Sequence, residues 1–354
     1  MSTKIRFNGH IGVFTDIPEL LLLYIIDFLA YDFVSLVSFV KTCHPALVLV
    51  KEQVEKLKDL WITAGKISST YREILYTSHF TEIVDASTLK SGPKMPSYIG
   101  TALVSNSVLT ELILMENDIH DAGLKCISDA LERNHSLKQT LKTLCLSDNE
   151  ISDTGVQYLS SFLRTSKITC LDLGYNEITN EGAKTIVDSL KENTSLTDLW
   201  LHSNNISDEG TEKIAEMLRG NTSLNHLCLS LNHITNKGMK DLSRALLSNH
   251  TLTSVDLDGN DYDHEGAEAF ARALKYTDSL TAFSLCSSMT ISGLVKIQTA
   301  LQVNTTITQL KLYTADNIDV FETIQCYADL LVQNTRFGTA KWSPVSPHGY
   351  FLIE

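Results

Sequence analysis

Asp172, Asp198, Trp200, His202, His226, Cys228 and Asp256 are the residues of this chain that come closest to a set able to do chemistry. They recur at fixed registers of a repeat, so neighbouring strands bring carboxylate, imidazole, indole and thiol to one surface. A hydrolytic triad would need a nucleophile poised by the histidine, and an oxyanion hole. Cys228 stands two residues from His226 on one strand, where side chains run parallel, and no turn there offers paired amides. A three-ligand metal site from His202, His226 and Asp198 would lack pre-organised outer partners. The seven cysteines show no CxxC and no zinc-type His/Cys spacing. Cys145 and Cys228 share a column three repeats apart, about 15 Å by strand spacing, too far for a disulfide. Asp198 opposite His226 predicts an ion pair. An exposed indole among carboxylates and imidazoles has the composition of a binding hot spot. The expectation is a client-binding patch, with no enzyme activity, metal or cofactor.

The elements that position these residues follow from self-comparison, which reveals a fixed period. Leu196-Thr-Asp-Leu199-Trp-Leu201 is followed by Asn204, Ile206, Gly210, Ile214 and Leu218, and the frame returns from Leu224 and Leu252 and backward through Ile168 and Leu141 to Leu109. Its asparagines are Asn117, Asn149, Asn176, Asn204, Asn232 and Asn260; most steps are 28 residues, and the first is 32 because Leu137-Lys-Gln-Thr is inserted. LxxLxL alternates inward and outward, as a short strand with buried leucines does. The asparagine can bond the turning backbone with its amide. Ser207/Asp208 and Thr179/Asn180 suit a helix N-cap. Gly182 and Gly210 let the helix approach its neighbour closely, and Ile214 and Leu218 give it one apolar stripe. One unit cannot close its own core, so units stack.

These units resemble leucine-rich repeats of the ribonuclease-inhibitor type. The resemblance covers Leu109 to Asn334 and implies an α/β solenoid with a curved parallel inner sheet and outer helices. Strand alternation predicts outward columns Glu111, Thr143, Cys170, Asp198, His226, Ser254 and Ile113, Cys145, Asp172, Trp200, Cys228, Asp256. A third runs Met115, Ser147, Gly174, His202, Ser230, Asp258. Asn193 and Asn221 head Asn-Thr-Ser and Asn249 heads Asn-His-Thr, which have the form of glycosylation sequons but read as repeat consensus. The last units decay, and Phe337, Trp342, Tyr350 and Phe351 are placed to cover that end.

Ahead of the solenoid, Pro18 suits a first helical position, and Leu20 to Ile26 is apolar throughout. More apolar surface results than a short helical domain can cover, which implies a partner or packing on the solenoid. Ile17-Pro18-Glu19-Leu20-Leu21, Ile25-Ile-Asp-Phe28-Leu29, Asp32-Phe33, Val40-Lys41-Thr42 and Leu60-Trp61 resemble an F-box. The usual tryptophan after the Val-Cys-Lys segment is missing, with Cys43-His44-Pro45 in its neighbourhood. The resemblance implies that Ile17, Pro18, Leu20, Leu21, Ile25, Phe28 and Leu29 contact a Skp-type adaptor of a cullin–RING ubiquitin ligase. The alternative is that Asp16–Trp61 only caps the array, leaving an inhibitor-like or GTPase-regulator-like binding protein. The expected organisation is a small all-α N-terminal domain over 1–61, a helical adaptor and degenerate first repeat over 62–100, the solenoid over 101–334 and a cap over 335–354.

With 29 Lys+Arg against 42 Asp+Glu, the net charge is −13. A nucleic-acid partner would need a basic stripe, so none is expected. Asp27 and Asp32 spoil the run from Leu20 to Val40 as a membrane span or signal. No membrane partner is expected, and the expected compartment is the cytosol, that of a host cell if the protein is a delivered effector.

Overall fold

The computed structural model describes residues 3–7, 10–14, 83–87, 95–285, 291–313, 340–343 and 350–353. Near the N-terminus, β1 (Thr3–Phe7) and β2 (His10–Phe14) form an antiparallel hairpin. Its paired Phe7 and His10 bracket Asn8-Gly9, a dipeptide favoured in two-residue hairpin loops. The expected all-α domain over 1–61 is therefore corrected at its start, and the missed signal was Asn-Gly between alternating apolar residues. The F-box-like positions Ile17, Pro18, Leu20, Leu21, Ile25, Phe28 and Leu29 lie outside the described residues.

From residue 83 onward a strand and a helix alternate. In chain order these are β3 (Ile83–Asp85), α1 (Met95–Ser105), β4 (Glu111–Ile113), α2 (His120–Arg133), the single turn α3 (Leu137–Thr140) and β5 (Thr143–Cys145). Then come α4 (Asp153–Thr165), β6 (Cys170–Asp172), α5 (Asn180–Leu190), β7 (Asp198–Trp200), α6 (Asp208–Leu218) and β8 (His226–Cys228). The series ends with α7 (Asn236–Leu246), β9 (Ser254–Asp256), α8 (His264–Leu274), β10 (Ala282–Leu285), α9 (Ile291–Leu301) and β11 (Gln309–Tyr313). Strands β3 to β11 are parallel in sequence order, and consecutive repeat helices pack side by side. The inserted Leu137-Lys-Gln-Thr is α3 itself.

The middle residue of each strand points to the helices. Val84, Leu112, Leu144, Leu171, Leu199, Leu227, Val255, Phe283 and Leu310 form one buried column across paired strands. Ile186 and Leu190, Ile214 and Leu218, and Leu242 and Leu246 meet it from the helices, four residues apart on one face. This is a leucine-rich repeat solenoid.

Two further devices lock the repeats. Asn204 donates from Nδ2 to the carbonyls of Leu173, Leu201 and His202, and its Oδ1 accepts from Ile178 N–H at 3.0 Å. Asn176 and Asn232 do the same one repeat away, so each buried amide serves two turns at once. At the helix starts, Asp153 Oδ1 accepts from the N–H of Thr179 and of Gly182, in the next repeat, and Oδ2 accepts from Thr179 Oγ1. Asp121 and Asp208 repeat this clasp. A Cβ on Gly210 would lie 2.8 Å from Asn180 Oδ1, so the glycine is what lets its N–H reach that oxygen. Thr179 caps its own helix as expected; Ser207 does not, because its hydroxyl accepts from Asn180 Nδ2 at 2.8 Å.

The sequon asparagines form a second column at the helix ends. Asn193 Nδ2 donates to Leu163 O and Asn249 Nδ2 to Leu218 O, so the nitrogen a glycan would need holds the frame.

The N-terminal end departs from expectation, and the C-terminal end is covered by strands. Ile83–Asp85 fell in the stretch taken as helical adaptor, yet it pairs with β4 and starts the sheet. Pro96 lies in the first turn of α1, where its missing N–H costs no helical bond. At the other end, β12 (Ala340–Ser343) and β13 (Tyr350–Ile353) add antiparallel strands, with β13 against β11. The C-terminal segment thus lengthens the sheet and blunts its parallel edge.

Candidate protein-binding face

Opposite the helices, the first and third residues of each strand point outward. The register places Asp198 beside Cys170 and His226, and Trp200 beside Asp172 and Cys228, as the repeat spacing predicts. Asp256 follows Cys228 in the same column.

The side chains then arrange themselves in a way that spacing did not show. His226 lays its ring on the Trp200 indole, with centroids 4.2 Å apart and planes at 28°. His202 meets Trp200 edge-on at 6.1 Å, and Tyr175 meets His202 edge-on at 5.1 Å. Tyr175, His202, Trp200 and His226 are therefore one continuous row of ring contacts across three repeats, stacked between Trp200 and His226 and edge-on elsewhere. Because of it Trp200 is half-buried, where the sequence predicted an exposed indole. Cys228, in an outward column, is 2% exposed. Asp198 lies beside His226 in the register, as the expected pair requires, and also accepts from Thr197 Oγ1 at 2.6 Å.

Two residues outside the predicted site complete it. Gly174 lies under the His202 ring, and a Cβ there would collide with the imidazole. Tyr175 has φ 50° and is 55% exposed. It occupies the turn position just before the ladder asparagine, where Asp148, Ser203, Leu231 and Gly259 also have positive φ. A tyrosine in that left-handed position, where glycine, asparagine or aspartate is easier, was the available signal.

Burial lowers the His202 pKa from its ordinary value of 6.5, against the pull of the Asp172 and Asp256 carboxylates, so the ring is neutral at pH 7. Desolvation with Asp256 pushes the Cys228 thiol up to about 12, and desolvation with Asp198 pushes Cys170 up to about 11. Burial also raises Cys145. A nucleophilic cysteine needs the opposite shift. Cys126, Cys145, Cys170 and Cys228 are all free. Among the described residues, no three His, Cys, Asp or Glu side chains are gathered to hold a metal ion. No helix among them is long and apolar enough to cross a membrane.

Beside the stack the sheet surface drops. Trp200 and His226 line an open depression of about 220 Å³ together with Ser254, Asp256, Ala282, Phe283, Ser284 and Gln309. The outward positions of β6 to β9 carry Asp172, Asp198 and Asp256 and no lysine or arginine. Arg133, Arg164, Arg244 and Arg272 lie in the last turns of the outer helices instead, at the negative helix ends.

Comparison with known proteins agrees with the solenoid. Residues 164–285 match the TMOD/LMOD Leucine-rich domain family, and residues 105–128 and 137–160 match the Leucine Rich repeat family. The chain is 39% identical over 92 residues to NACHT, LRR and PYD domains-containing protein 14 of Homo sapiens, covering 26% of this chain and 8% of that protein. It is 30% identical over 96 residues to ribonuclease inhibitor of Sus scrofa, covering 27% of this chain and 20% of that one. The likeness thus spans a minor part of either relative. A solved structure titled Leiomodin-1 Actin-Binding Site 2 (ABS2) aligns over 42% of this chain and 87% of its own, at 21% identity and a TM-score of 0.34. The protein is a leucine-rich repeat protein with repeats similar to those of ribonuclease inhibitor.

Proposed function

We propose that the protein is a non-enzymatic recruiting module that holds a client protein on the outward sheet face of β6 to β9. The observation that carries this reading is the contiguous row of Tyr175, His202, Trp200 and His226 rings on the sheet face opposite the helices. Large aromatic surface beside carboxylates Asp172, Asp198 and Asp256 is what a protein-binding hot spot requires. The raised thiol pKa values argue against a cysteine nucleophile on the same face.

The finer reading is an adaptor of a cullin–RING ubiquitin ligase acting in the cytosol. Ile17, Pro18, Leu20, Leu21, Ile25, Phe28 and Leu29 would dock a Skp-type adaptor, and the solenoid would raise the effective concentration of client lysines near an E2 enzyme. It rests on the sequence between Asp16 and Trp61. The test is a pull-down of full-length protein with a Skp-type adaptor, using Pro18→Ala/Leu21→Asp as control. Saturable binding lost in the double variant supports the adaptor. A folded wild type that does not bind leaves the second reading, a binding protein or regulator whose N-terminal segment caps the array. Among the proteins with similar repeats, ribonuclease inhibitor is by name of that inhibitory kind.

A further inference from the structure

We propose that the depression beside Trp200 receives a lysine or arginine side chain of the partner protein. The inference rests on the reading of this face as the client site and names the chemistry that the face selects.

Side-chain volume along the outward column falls from Asp198 and His226 to Ser254 and Ala282. The depression lies where that volume falls, lined by His226, Ser254 and Ala282, and His226 is stacked on Trp200 beside it. The depression is thus bordered by a stacked indole–imidazole pair, and a cation and its methylene stem can lie against the ring surface the pair leaves open. The rest of the lining is Ala282 and Phe283 with polar Ser254, Ser284, Gln309 and Asp256, and the Asp256 carboxylate, whose Oδ1 also accepts from Asp258 N–H at 3.1 Å, is the charged group among them. An apolar group seated there would strip water from a carboxylate without replacing its hydrogen bonds, which is costly. An acidic group would face Asp256 directly, with Asp172 beyond Trp200 and Asp198 beyond His226 in their columns. A guanidinium or ammonium meets all three conditions, packing its stem on the rings and bonding its head to Asp256. The negative potential there also shows in Cys228, whose thiol Asp256 helps keep protonated. With the chain at −13, a basic partner would also be steered toward it.

The test uses a random heptapeptide phage library selected on full-length protein, with Asp256→Asn and Trp200→Ala as parallel baits. Circular dichroism confirms that each bait is folded. Peptides selected on the wild type should share a lysine or arginine. Replacing that residue by norleucine, or using Asp256→Asn, should weaken the synthetic peptide at least tenfold in calorimetry. Ser254→Lys, which places the protein's own cation in the depression, should abolish binding. Peptides that need Trp200 but share no cation and bind Asp256→Asn equally would overturn this inference and leave the client face standing. Peptides indifferent to Trp200→Ala, or no enriched peptide, would overturn both.

Discussion

The two faces of the same short strands obey different rules. On the helix side, the central position is leucine in β4 to β8, then Val255, Phe283 and Leu310, and each is buried. Outward, the flanking pair changes at every step, from Cys170 and Asp172 to Asp198 and Trp200, His226 and Cys228, and Ser254 and Asp256. The inward side must fill the same volume in every repeat, because each unit supplies its neighbour's core. The outward side fills no shared core, so its side chains differ from strand to strand, although Asp172 and Asp256 still accept from the N–H of Gly174 and Asp258. Repetition builds the scaffold, and departure from repetition marks the surface proposed to bind.

That contrast can be broken deliberately. The largest effect is expected on the inward side, for Asn204→Leu. It removes the donor to three carbonyls and the acceptor for Ile178 N–H, at a cost of roughly 3 kcal/mol or more because the orphaned groups are buried. Urea unfolding of the variant should show it. Asp208→Ala unclasps Thr235 and Gly238 at the start of α7 and should cost about 1–2 kcal/mol, the range of a lost helix cap.

Outward substitutions should separate stability from surface. Gly174→Val drives a side chain into the His202 ring, and displacing one imidazole should cost about 1 kcal/mol. The Tyr175–His202–Trp200 contacts should open, seen as a shifted His202 resonance. A Gly174→Val protein with unchanged His202 signals would refute the seat described for that ring. The smallest effect is the pH dependence of His202. Its folded pKa is lowered by burial, so the unfolded chain binds the proton more readily. The stability from holding the ring neutral is fully present above the ordinary value of 6.5 and is lost as pH falls from there through the lowered folded value. Unfolding midpoints of wild type and His202→Gln should therefore diverge below pH 6.5 and run parallel above it.

Much of this was legible in the chain because a period repeats its own proof. Asn117 to Asn260 and the leucines before them predicted strand, turn, helix and outward columns, and the register agrees residue by residue. Where the period is absent, less was legible. Ile83–Asp85 has no leucine frame and was placed in a helical stretch, and the cap expected over 335–354 takes the form of strands at 340–343 and 350–353.

The sequence by itself determined the solenoid, because backbone pairing and leucine burial at a fixed spacing admit one stacked arrangement. It also determined which residues share a column, since strand alternation is a property of local geometry. Only the tertiary structure decided how those side chains settle. His226 turns onto Trp200, His202 folds onto Gly174 and Tyr175 closes the row, through contacts between residues about a repeat apart. Rotamer choice depends on what the neighbouring strand leaves empty, and no one-dimensional pattern records that space. The same holds for the clasp of Asp153 on Thr179 and Gly182, which exists only once two repeats are stacked.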